Sequence, residues 1–150
     1  MSETKSENVF RSYKKQLIKQ LGKKGLYNDT IDNIGKDLFH SRCQGCHASD
    51  QIVCKPGYQI IKVDNSKQPG SHWLAIYQTN KNCYIFDSFG RPSNQLIRNV
   101  TQKLREKGIQ IYDSDLTDAE QRGNSEVCGQ LSLSWLMVVK FLGIKAAMLI

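Results

Sequence analysis

A chain of 150 residues, 39% hydrophobic and 23% charged, is long enough to bury one core and too ordinary in composition for wholesale disorder. The formal charge of +7 makes polyanions natural neighbours, while no apolar run reaches the roughly 20 residues that span a bilayer. The opening MSETKSENVF lacks the basic-then-apolar layout of a secretory signal, and an odd number of cysteines argues against a disulfide framework, so the expectation is a reducing, intracellular setting with no membrane partner.

In chain order, Ser6 is placed to cap a helix whose apolar residues Val9, Phe10, Tyr13, Leu17, Ile18 and Leu21 recur at helical spacing, and Gly22 ends it. A second, short helix is expected after NDT, with Ile31, Ile34 and Leu38 on one side. The segment SRCQGCHASDQIVCKPG has no clear period and reads as loop. YQIIKV reads as a strand and DNSKQPG as a turn out of it. HWLAIYQ and CYIFD are β-branched and aromatic, with TNKN between them as turn material, and their near-continuous apolarity predicts a hairpin covered on both faces. Ser93 is placed to cap a helix carrying Leu96, Ile97, Val100 and Leu104, stopped by Gly108. IQIYD is a further strand, SDLTDAEQRGNSEV a polar loop, and CGQLSLSWLMVVKFLG a buried helix. The expectation is one α+β domain over residues 1–150. Lysines cluster at 14–24 and 103–107, and solvated helix faces are the commoner reading of such runs.

The hairpin raises a question of chemistry. If the strands pair about the centre of TNKN, facing residue numbers sum to about 161 and His72 is the same-face diagonal neighbour of Asp87. With a tighter turn the sum is about 159 and His72 faces Asp87 directly. Either way a carboxylate lies beside an imidazole, which orients the ring and favours its protonated form. Cys128, where a polar loop becomes an apolar helix, is the matching nucleophile, because a helix N-terminus stabilises negative charge. Gly129 leaves room for a substrate backbone. Gln121 is placed to share an oxyanion with the Cys128 N–H.

The segments GSHW, YIFDSFG and QRGNSEVCGQ resemble the active-site segments of the adenovirus-type processing cysteine proteases, the adenain-like group, within a wider group that includes proteases of ubiquitin-like modifiers. The likeness covers residues 58–143 in the order His, Asp, Cys. It implies His72 as general base, Asp87 as its orienter, Cys128 as nucleophile, Gln121 in the oxyanion hole with the Cys128 N–H, and Trp73 as a wall of the substrate cleft. It implies a compact fold with a central mixed β-sheet flanked by helices and the nucleophile at the N-terminus of a buried C-terminal helix. It further implies a thiol endopeptidase that cleaves virion precursor proteins after Gly-containing motifs. The accompanying expectation is a monomer acting in host cytoplasm or nucleus and packaged in the virion, with non-specific DNA binding through the +7 charge. No cofactor is required in this reading. No cysteine lies between Asp87 and Cys128, so covalent activation by a disulfide-bonded peptide does not carry over, and DNA or a non-covalent peptide is left as the activator. The acid is Asp where the adenovirus-type pattern has Glu.

Two alternatives stay open. A deconjugase of a ubiquitin-like modifier shares every candidate catalytic residue. A non-enzyme would use Cys43, Cys46, His47 and Cys54 in a zinc or nucleic-acid-binding module, since Cys-x-x-Cys is a common zinc half-site. Against it, His47 directly follows Cys46 and no second well-spaced pair completes a finger.

Overall fold

In the computed structural model, which describes residues 5–23, 28–63, 72–114 and 127–150, two helices open the chain, α1 (Lys5–Leu21) and α2 (Asn28–Phe39). Phe10, Leu17 and Ile31 are buried, with Val9, Tyr13, Ile18 and Ile34 packed beside them, as an apolar stripe at helical spacing requires. Ser6 does not stand ahead of α1 as a cap; it lies inside the first turn and is buried. Gly22 does end the helix. Its φ of +83° is open to glycine without strain, and its N–H returns to the Ile18 carbonyl at 2.7 Å.

Five strands follow: β1 (Cys43–Ala48), β2 (Gly57–Lys62), β3 (Trp73–Gln78), β4 (Asn82–Phe86) and, after two short helices, β5 (Gln110–Asp113). β1 corrects the expectation of a loop. Its pairing with β2 shifts register between Cys43 and Cys46, and Gly45 sits at φ +88°. A bulged edge strand of this kind has no period-two pattern to read. Close backbone approach holds it: a Cβ on Gly57 would lie 2.2 Å from the Arg42 carbonyl oxygen. The helix expected between Ser93 and Gly108 is also divided, into α3 (Ser93–Leu96) and α4 (Arg98–Glu106). Ile97 between them has φ −135° and ψ 54°, and its side chain is buried with Val100 and Leu104. Ser93 is the first residue of α3 rather than its cap, and its N–H donates to Asp113 Oδ2 at 3.3 Å. The expected turn over 64–70 and most of the polar loop, residues 115–126, lie outside the described residues.

The sheet runs β1-β2-β3-β4-β5, parallel at both edges and antiparallel within, so it is mixed. The hairpin forms in the wider of the two expected registers, with Ala75 facing Phe86 and Gln78 facing Cys83. Alternate residues feed two cores. Trp73, Ala75 and Phe86 pack with α1, α2 and the long helix α5 (Cys128–Leu142). Leu74, Ile76, Cys83 and Ile85 pack with Val100 and Leu104 of α4. The strands are covered on both faces, which is why their apolarity is continuous. The fold is α+β, a mixed five-stranded sheet between helices. Among the described residues no helix is long and apolar enough to cross a membrane.

Every residue of α5 from Cys128 to Val139 is buried, and its seat is specific. Trp135 stacks on Phe86 of β4 with centroids 5.6 Å apart. Its indole N–H donates to the Ala147 carbonyl in the terminal helix α6 (Ile144–Ala147) at 3.0 Å. Ser132 Oγ donates to the Trp73 carbonyl at 3.2 Å. A fully buried indole that also satisfies a donor is expensive to remove, so Trp135→Ala is expected to cost about 3–5 kcal/mol. Urea unfolding followed by far-UV circular dichroism reads this; a loss under about 1 kcal/mol would mean α5 is not anchored there.

Candidate active site

His72 immediately precedes β3 and Asp87 immediately follows β4, so the hairpin brings both to the same end of the sheet. His72 Nε2 lies 2.5 Å from Asp87 Oδ1, and both residues are buried. The diagonal placement expected of this register is thus closed by the two side chains.

Asp87 has more partners than its ring. The Phe89 N–H donates to Oδ1 at 3.3 Å, and the Arg91 N–H and Nε donate to Oδ2 at 2.9 and 3.0 Å. The Gly90 N–H returns to the Asp87 carbonyl at 2.9 Å, with Gly90 at φ +70°. One carboxylate therefore nucleates the 87–91 turn and orients the imidazole at once. Burial pushes the Asp87 carboxyl up, but hydrogen bonds from His72 and Arg91 outweigh it and hold the group at about 2, below its ordinary 3.8.

Burial likewise acts to lower the His72 pKa. Hydrogen bonds to Asp87 and to the Cys128 side chain, with the charge of both partners, leave it raised above the ordinary 6.5. The imidazole is thus held by the carboxylate and lies within electrostatic reach of the thiol. Since Asp87 holds Nε2, Nδ1 is the other ring nitrogen with hydrogen-bonding capacity. Cys128 is the first residue of α5, and Val127 before it offers no capping side chain. The first helical hydrogen bond is Leu131 N–H to Val127 O, at 2.9 Å. Backbone N–H groups of the first turn have no intrahelical acceptor, and they carry the positive end of the helix dipole.

The structure thus brings together His72, Asp87 and Cys128. Trp73 is buried in the core with Cys128 and Phe86. Gln121 lies outside the described residues. Two further side chains contribute, Phe89 within the quoted YIFDSFG segment but given no role there, and Arg91 just beyond it. Phe89 packs its ring 5.2 Å from the His72 ring, and the Arg91 guanidinium lies 5.1 Å over Phe89. The only sequence signal for Arg91 is a cation four residues after Asp87 across a Gly-containing turn.

The cysteine-rich segment behaves differently. Cys43 and Cys46 pack against the main core from β1, while Cys54 packs against the core on the other face. His47 Nε2 is engaged by the Gln44 carbonyl at 2.5 Å. Among the described residues no group of three or more His, Cys, Asp or Glu side chains is arranged to hold a metal ion. Burial pushes the thiols of Cys46 and Cys83 up to about 12 and raises that of Cys43. Such thiols supply little thiolate near neutral pH.

No family model matches the chain. Among curated proteins, the foldase protein PrsA of Lactococcus lactis subsp. cremoris is 27% identical over 94 residues, which is 63% of this chain and 31% of that protein. PrsA of strain SK11 matches to the same extent. The chain spans about a third of the length of these relatives, and at this identity and coverage the likeness assigns no family.

The paired shifts fix a pH signature. Unfolded, Asp87 titrates near 3.8 and, folded, near 2. Its contribution to stability is therefore present above the unfolded value and is lost as pH falls through the folded one. Asp87→Asn is expected to cost roughly 2 kcal/mol near pH 6, shrinking toward zero at about pH 2. His72 runs the other way: its raised pKa contributes fully below 6.5, and that contribution is lost as pH rises through the folded value. Urea titrations at stepped pH test the carboxylate; an Asp87→Asn penalty equal at both ends would refute its role as a buried anion.

Proposed function

We propose that this chain is a thiol endopeptidase of the adenain-like type, with His72 as base, Asp87 as orienter and Cys128 as nucleophile. The observation that carries the reading is a single imidazole hydrogen-bonded to a buried carboxylate and near enough to a thiol at a helix start for that thiol to help raise its pKa. A structural ion pair has no need of a nucleophile as third member, whereas an acyl-transfer site needs one and a thiol can serve.

In this mechanism His72 Nδ1 takes the Cys128 proton, and the sulfur forms a bond to the carbonyl carbon of the scissile peptide. The Cys128 N–H, with Gln121 as the proposed second donor, stabilises the oxyanion. As the C–N bond breaks, the imidazolium gives its proton to the leaving amine. Water, deprotonated by the same imidazole, then hydrolyses the thioester and restores the thiol. Asp87 keeps Nε2 protonated throughout, so that Nδ1 is the basic atom. Arg91 holds the carboxylate in place from its far oxygen. Trp73 acts by supporting Cys128 from the core and flanking the cleft.

The substrates of this reading are virion precursor proteins cut after small, Gly-containing motifs, in host cytoplasm or nucleus and within the particle. DNA or a non-covalent peptide would serve as activator. A deconjugase of a ubiquitin-like modifier would use the same three side chains. An electrophilic probe built on a modifier's C-terminus, set against Gly-containing capsid peptides, separates the two.

The decisive experiment is alkylation at neutral pH with residue-resolved mass spectrometry. Cys128 is expected to label first, ahead of Cys46 and Cys83, whose thiols burial pushes to about 12. His72→Ala is expected to slow that labelling by about tenfold or more, and Cys128→Ala to abolish peptide cleavage while leaving the fold intact. Full cleavage by Cys128→Ala would end the proposal.

A further inference from the structure

One face of α1 carries a feature that catalysis alone does not explain. A cavity of about 810 Å³ is lined by Arg11, Lys14, Lys15 and Lys23, with Ile18 and Val127 as its apolar part. Asn8 and Ser12 complete the stripe: positions 8, 11, 12, 15 and 18 recur at the three- and four-residue steps that share a helix face. From Asn8 to Leu21 the helix runs about 20 Å, the reach of about six extended residues. Among the described lining residues four are cationic and none is a carboxylate. A concave surface of one sign concentrates its potential more than a flat one does.

The position of the groove gives it meaning. Val127 is the residue before Cys128, so the groove wall includes the chain neighbour of the candidate nucleophile. A polypeptide engaged at the sulfur would have one flank of its scissile bond within reach of this groove. We propose that this groove binds an acidic stretch of the polypeptide substrate, with Asp or Glu side chains lying within about six positions of the bond to be cut. This inference rests on the thiol-peptidase reading and names the substrate class of the same site.

An acidic polypeptide fits better than a nucleic acid. No aromatic ring is among the described lining residues, so nothing there stacks a base. Asn8 and Ser12 each offer both a donor and an acceptor, which suits a peptide backbone. The apolar Ile18 and Val127 give side chains between the acids somewhere to pack.

The test uses the full chain carrying Cys128→Ser, so that nothing is cleaved, and fluorescence anisotropy of a short labelled peptide rich in Asp and Glu. The acidic peptide is expected to bind and its Asn/Gln counterpart to bind far more weakly. Lys14→Glu with Lys15→Glu is expected to weaken binding by about tenfold or more, whereas Lys103→Glu on α4 leaves it unchanged. Binding indifferent to the groove reversal, or oligothymidylate binding the groove more tightly than the acidic peptide, overturns the proposal. Alkylation of Cys128 in the otherwise unaltered chain separates the two readings. Lost peptide binding beside a Cys128 that still labels in a His72-dependent way sinks the groove alone. Intact peptide binding beside an inert Cys128 sinks the peptidase reading and, with it, the assignment of the ligand as substrate.

Discussion

A carboxylate that is only 5% exposed stays ionised only if its oxygens are fully satisfied, and Asp87 meets that demand with four donors. The demand organises everything near it. To supply the two backbone donors the chain must turn sharply after β4, which places Gly90 in a left-handed conformation. To supply the guanidinium, Arg91 must fold back over Phe89. To supply the last donor, the His72 ring must present Nε2, which decides which ring nitrogen is left for the thiol. The tautomer, the turn and the ring packing are thus consequences of one buried negative charge.

The second constraint is that a hairpin and a helix distant in sequence meet with side-chain accuracy. The helix α5 is apolar nearly all round, so burial alone would hold it without fixing its position along its axis. Directional contacts do that: the Ser132 hydroxyl on the Trp73 carbonyl, and the Trp135 ring on Phe86 with its N–H on Ala147. Both β-strand partners are immediate neighbours of the site residues, Trp73 of His72 and Phe86 of Asp87. Packing and chemistry therefore share one frame, and an axial slip of α5 would be resisted by the same contacts that position Cys128.

Much of this was legible in the sequence, and the failures have physical causes. The turn residues narrowed the hairpin to two registers, both with His72 and Asp87 on one face, because a period of two leaves only alternate registers; the wider one forms. Cys128 stood out because hydropathy changes abruptly at Val127. β1 was missed because a bulge with a left-handed glycine erases alternation. The break at Ile97 was missed because that side chain suits a helix well; its backbone leaves helical geometry while the side chain stays in the core. Ser6 and Ser93 lie inside their helices rather than ahead of them, and at α3 a carboxylate from β5 meets the helix start instead. Arg91 left no trace beyond its spacing from Asp87. Its contact is set by a turn whose geometry appears only once folded.

The two rims of the sheet are poor templates for another backbone. β1 is bent by its bulge, and β5 spans four residues and ends on Asp113, whose carboxylate is already turned toward the start of α3. A strand from a second copy would find no long, straight ladder to zip onto at either side. Short or bulged rims of this kind disfavour edge-to-edge pairing between copies, so the described sheet ends where it does without a neighbour to extend it.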